Sequence, residues 1–130
     1  HLRIIEMWKI EEEARKYMKD KLIITQVITP DLYERLAKTT AIFPKEKALE
    51  YLALGLTSEA GEVAGKIKKI IRDGKGNKEA IAYEIGDVLW YCAVLANELG
   101  VELNEIMRKN LEKLQERKAK GTLQGSGDKR

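Results

Sequence analysis

Residues 45–100 read KEKALEYLALGLTSEAGEVAGKIKKIIRDGKGNKEAIAYEIGDVLWYCAVLANELG, and their spacing decides the fold. Apolar residues recur at helical rather than alternating intervals on both sides of Asp73-Gly74-Lys75-Gly76-Asn77. From just past Pro44 to about Arg72 the stripe is Leu49, Leu52, Leu56, Val63, Ile67 and Ile70. From Lys78 to Leu99 it is Ile81, Ile85, Val88, Cys92, Leu95 and Leu99. The intervening glycines make a turn, Asn77 is placed to cap the second helix, and Gly100 stops it. The spacing predicts two long antiparallel helices.

Shorter helices flank this hairpin. Thr29-Pro30-Asp31 supplies a capping hydroxyl followed by proline at the first helical position, which starts a short helix through DLYERLAKTT. An earlier helix is expected from about Ile5 to Leu22 with Glu11, Glu12 and Glu13 facing solvent; the β-branched LIITQVIT after it is undecided. A last helix is expected from Leu103 or Asn104 to about Lys120. It is followed by GTLQGSGDKR, a Gly-rich tail expected to be mobile unless a ligand orders it. The fold class is therefore all-α, an antiparallel bundle of four to five helices. Residues 1–30 form an N-terminal extension that is helical in part, 31–120 the main helical domain and 121–130 the tail. A chain of 130 residues supports one core, and helices this short of partners leave Leu and Ile for oligomerisation to cover.

Composition excludes several chemistries. Cys92 is the only cysteine, which rules out a disulfide framework or a cysteine zinc site within one chain; it is expected to be a small core residue. His1 is the only histidine and lies at the terminus, so no Ser-His or Cys-His pair is available. Basic residues number 24 against 21 acidic ones, interleaved rather than blocked, which describes solvated helix faces and does not indicate nucleic-acid binding. No run approaches the roughly 20 apolar residues of a membrane span. The start HLRIIEMWKIEEEARK lacks the order of a signal peptide, and His1 in place of Met suggests a trimmed or fused chain. The expected location is cytoplasmic.

Four carboxylates stand out. Glu59 and Glu62 are three apart, as are Glu84 and Asp87, and such residues have Cβ atoms roughly 5–6 Å apart on a helix. At about 100° per residue, Glu59 and Glu62 lie roughly 50° and 110° from the centre of their apolar stripe. Glu84 and Asp87 lie about 60° and 120° from theirs, in the same rotational sense. Antiparallel helices facing each other are related by a two-fold axis, which keeps same-sense flanks on one side. All four acids should meet along one edge of the hairpin. Oxygen-only ligation favours Mg²⁺ or Mn²⁺ over zinc. The alternative is that they are surface acids with intrahelical partners, such as Glu62 with Lys66. Gly55, Gly61, Gly65 and Gly86 fall inside the predicted helices, where each costs about 1 kcal/mol relative to Ala, so a packing reason or a close ligand approach is expected for them. Lys66 and Lys69 continue the acidic ridge, and Asn110, Lys113 and Arg117 share one face of the last helix.

The segments GLTSEAGEVAGKIKK, YEIGDVLWYCAVLANELG and NLEKLQERKAKGTLQGSGDKR, in that order, resemble the MazG-like nucleotide pyrophosphohydrolases over roughly Leu32 to Arg130. The family's EExxE is matched by SEAGE and its ExxD by EIGD; Ser58 stands where many members carry the first Glu. The resemblance implies Mg²⁺-dependent hydrolysis of a nucleoside triphosphate between the α and β phosphates, with the metal on Glu59, Glu62, Glu84 and Asp87. It implies a catalytic role for residues 31–120 and a homodimer or homotetramer. It also makes Asn110, Lys113 and Arg117 the better set for the triphosphate, with Arg130 closing over phosphate from the tail. Trp90 and Tyr91 either stack on a base or, as aromatics at helical spacing usually do, belong to core or interface. Related all-α enzymes acting on dUTP, dCTP or phosphoribosyl-ATP, and a non-enzymatic helical dimerisation module, are the alternatives.

Overall fold

The computed structural model describes residues 2–19 and 27–130. Among these, every regular element is helical: α1 (Leu2–Lys19), α2 (Pro30–Lys38), α3 (Ala48–Asp73), α4 (Lys78–Glu98) and α5 (Leu103–Lys120), with one 3-10 turn at Lys45–Lys47 leading into α3. The all-α expectation holds. The expected end of the first helix at Leu22 and most of LIITQVIT lie outside the described residues.

Local chemistry sets the boundaries. The Thr29 hydroxyl accepts from the Leu32 amide at 3.2 Å, and Pro30 occupies the first helical position of α2. The Asn77 side chain accepts from the amides of Glu79 (2.9 Å) and Ala80 (3.4 Å), satisfying two of the four N–H groups that the start of α4 leaves without intrahelical partners. Gly74 closes α3 at φ 72°, a left-handed conformation that a Cβ would strain, and donates its N–H to Ile70 O at 2.8 Å.

The α3–α4 hairpin is the spine. α2 lies on α4, α5 leans on α2 and α4 without reaching α3, and α1 touches α2. The core gathers at the open end of the hairpin, where Ala37 of α2 meets Leu52, Ala93 and Val94 beneath half-buried Tyr33, Phe43, Trp90 and Tyr91. Trp90 ties the layers together: its indole N–H donates to Thr40 Oγ1 at 2.7 Å and Ala37 O at 3.2 Å. Of the two predicted stripes, only Leu52 is fully buried. The alanines of α4 take the place expected for its larger residues, because α2 buries a second face that the α3-facing stripe does not announce. Cys92 is half-buried, and desolvation pushes its thiol pKa up.

Toward the turn the picture changes. From Ala53 to Cys92 no residue is fully buried in the single chain. Ile71 and Tyr83 are each 80% exposed, and Ile67, Ile85 and Leu89 lie open beside them. Among the described residues, the expected packing reason for the helical glycines holds at Gly55, where a Cβ would run into the Tyr91 ring; at Gly61, Gly65 and Gly86 it would meet none of them within 4 Å.

The Gly-rich tail folds back on α5. Arg130 donates to Thr122 O (3.2 Å), Gly127 O (2.6 Å) and Leu123 O (3.4 Å), and Arg117 donates to Asp128 O at 2.9 Å. Two arginines of the chain itself thus hold the tail against the end of α5.

Candidate metal centre

Carboxylate oxygens from Glu59, Glu84 and Asp87 all lie within 4.8 Å of one another. The hairpin produces this: Glu59 sits on the flank of α3, and Glu84 and Asp87 are one turn apart on the matching flank of α4. Glu59 and Glu84 are half-buried, and Asp87 is exposed. Glu62, the fourth acid, is exposed and lies outside the group, one turn further toward the hairpin turn.

The electrostatics are those of a site short of positive charge. Desolvation raises the pKa of Glu59, and the negative charges of Asp87, Glu84 and Glu62 raise it further. One cation lies in the cluster: Lys66 Nζ is 3.2 Å from Glu84 Oε1. Lys66 thus reaches across the hairpin rather than back to Glu62 along its own helix. Its charge cannot balance three carboxylates. Oxygen donors from two helices, partly desolvated and mutually repelling, suit a hard divalent cation.

Tyrosines border the acids. The Tyr33 hydroxyl donates to Gly86 O at 3.4 Å, and its pKa is raised by burial and then by Asp87. Tyr91, raised by burial, by Tyr51 and by Glu59 and Asp87, occupies the notch that Gly55 leaves in α3. Trp90 packs edge-on against Tyr91 at 4.9 Å, and its hydrogen bonds to α2 make it a structural residue. Sequence reading missed Tyr33 as a neighbour of the acids, because it comes from another helix and no local spacing signals it.

The predicted basic residues divide into two groups. Lys66 and Lys69 lie on the acidic edge, running toward the turn. Asn110 and Lys113 are exposed on α5, which does not meet α3. Arg117 is buried under the tail and Arg130 is folded into it, so the structure does not bring the α5 group to the acids within one chain.

An all-helical domain with a cluster of three carboxylates on the edge of a helical hairpin is the class this geometry defines. The family model of the MazG nucleotide pyrophosphohydrolase domain matches residues 47–122, and the chain belongs to that family. It is also similar to the Gene 37 protein of Mycobacterium phage L5, with 46% identity over 111 residues, covering 77% of this chain and 97% of the relative. No solved structure matches. Among the described residues no helix is long and apolar enough to cross a membrane.

Proposed function

We propose that this chain hydrolyses nucleoside triphosphates between the α and β phosphates, releasing the monophosphate and pyrophosphate, as a Mg²⁺-dependent enzyme that also accepts Mn²⁺. The observation that carries this reading is the convergence of Glu59, Glu84 and Asp87 within 4.8 Å beside Lys66, in a chain of this family. A bound divalent cation neutralises phosphate charge and lowers the pKa of a water it holds, so no histidine base is required. Glu59, Glu84 and Asp87 would hold the cation, and Glu62, exposed one turn away, would be the fourth candidate donor. Lys66, paired with Glu84 at 3.2 Å, would be free to donate to a phosphate oxygen if that carboxylate served a cation. Net reaction adds water across one anhydride: an oxygen–phosphorus bond forms, the bridging bond breaks, and the proton passes to a carboxylate of the cluster.

The exposed apolar side chains near the turn support assembly as a homodimer or homotetramer. Since α5 does not meet α3 in one chain, the exposed Asn110 and Lys113 would reach the phosphates from a second copy, whereas Arg117 and Arg130 would first have to release the tail carbonyls they hold. Mixing Glu84→Gln with Lys113→Ala chains, each inactive alone, should restore activity; no restoration removes this arrangement.

The deciding experiment is a panel of ribo-, deoxy- and modified triphosphates with Mg²⁺, separating pyrophosphate from orthophosphate. Pyrophosphate with monophosphate is expected, and the panel identifies the base and sugar. Orthophosphate alone, or no turnover with any member, overturns the proposal.

A further inference from the structure

One edge of the hairpin changes character along its length. At the open end Phe43 stacks on Tyr51, with ring centroids 5.4 Å apart, and Tyr91 sits beside Tyr51 over Gly55. The carboxylates come next. Beyond them, past Lys66, the edge ends at the turn in a cavity of about 180 Å³ lined by Lys66, Lys69, Lys75, Gly76, Asn77 and Ala80. Lys66 belongs to both places: it lines this cavity and pairs with Glu84.

Three lysines line one small cavity together with Ile70 and Ile81, and Lys66 alone among them has a carboxylate partner, Glu84. Among the described residues, Lys69 and Lys75 form no ion pair. Asp73, whose pKa Lys69 helps to lower, is already held by Arg72 through two hydrogen bonds of 2.8 and 3.0 Å. No carboxylate is among the residues that line the cavity. Each lysine offers three donors and no acceptor, which matches a group that presents only acceptor oxygens and several negative charges. Gly76 lets the wall form: a Cβ there would strike the side chain of Ile70, which also lines the cavity.

We infer that Lys66, Lys69 and Lys75 form a subsite for the pyrophosphate half of the substrate, so that the triphosphate lies with its terminal phosphates toward the hairpin turn and its nucleoside toward Tyr51 and Tyr91. The inference rests on the function proposed above and deepens it by fixing the direction of the substrate. The order aromatic, acidic, basic along the edge is the order base, cation-bound phosphate, terminal phosphate along a nucleoside triphosphate. Cleavage then leaves the two products in different places, pyrophosphate among the lysines and monophosphate on the aromatic side.

Binding tests this without turnover. Inorganic pyrophosphate, and separately a nucleoside monophosphate, are titrated calorimetrically into the full chain with Mg²⁺, using wild type, Lys69→Ala/Lys75→Ala and, as a control on α1, Lys9→Ala. Two lost charge-assisted hydrogen bonds should weaken pyrophosphate by about tenfold or more in the double variant. Monophosphate affinity and the Lys9→Ala values should stay within about twofold, well inside one tenfold step of 1.4 kcal/mol. An unchanged thermal midpoint shows that the double variant is folded. Wild type that does not bind pyrophosphate, a double variant that binds it equally well, or a loss that falls on the monophosphate instead overturns the subsite. Because nothing is hydrolysed in these titrations, failure of the subsite is separate from failure of the activity, which the product analysis reads.

Discussion

The two ends of the α3–α4 hairpin are built from the same kind of helix and used differently. At the open end α2 covers the pair, Leu52, Ala93 and Val94 are sealed, and Trp90 bonds across the layers. At the turn end no described residue covers either helix, and the acids and lysines line the edge. One end holds the fold and the other holds charge in positions that water alone would not favour. A small domain has little apolar surface to spare, so concentrating burial at one end frees the other for chemistry.

Variants at the two ends should therefore separate stability from activity. The largest effect is expected from Leu52→Ala, which empties a fully buried site and should cost about 2–5 kcal/mol in thermal or urea unfolding. Glu84→Gln should leave the unfolding midpoint nearly unchanged and lower kcat/KM by about 10²–10³-fold, as loss of one group acting on transition-state charge does. A fold collapse in Glu84→Gln, or full activity, would break the division between the ends. Gly55→Ala lies at the boundary and tests both, since the new methyl must displace Tyr91. Overpacking should cost about 1–3 kcal/mol and, by moving a neighbour of Glu59 and Asp87, also lower activity. Trp90→Phe removes the indole donor and leaves Ala37 O and Thr40 Oγ1 without it, for a loss of about 1 kcal/mol in unfolding and little in turnover.

The smallest effect is electrostatic. The raised pKa of Glu59 means that the folded chain keeps a proton which the unfolded chain has already released, between the ordinary carboxylate pKa and the raised one. Its contribution favours the fold below that window and is lost as pH rises through it. Glu59→Gln should thus raise the unfolding midpoint of the metal-free protein at neutral pH. The difference from wild type should vanish near pH 3, about one unit below the ordinary glutamate pKa. Adding Mg²⁺ should narrow it by stabilising wild type alone.

Much of this division was legible in the sequence. Thr29-Pro30, Asn77 and Gly74 marked the helix ends, because caps are local chemistry. Equal rotational offsets placed Glu59, Glu62, Glu84 and Asp87 on one edge, because an antiparallel pair preserves the sense of a flank, and three of the four cluster while Glu62 stays one turn away. What depended on register was hidden. Intrahelical spacing offered Lys66 to Glu62, four residues back, and only the stagger of the two helices gives it to Glu84. The burial of Ala93 and Ala96 was hidden too, since small residues show as a face only once a second helix lies against them. The position of α5 follows from the bend at Gly100 (φ 71°), and helical periodicity carries no information about the direction a chain takes after such a residue.

The tail at the end of α5 is fastened by guanidinium groups that grip main-chain carbonyls: Arg130 holds those of Thr122, Leu123 and Gly127, and Arg117 that of Asp128. Such a fastening reads spacing and ignores side-chain identity. Gln124 and Ser126, both exposed, are free to drift over generations, whereas deleting a single residue between Thr122 and Arg130 shifts every carbonyl out of reach at once. Selection on this segment should be felt as a fixed length with glycines at 125 and 127, where φ is 99° and 91°, around a composition that is otherwise open.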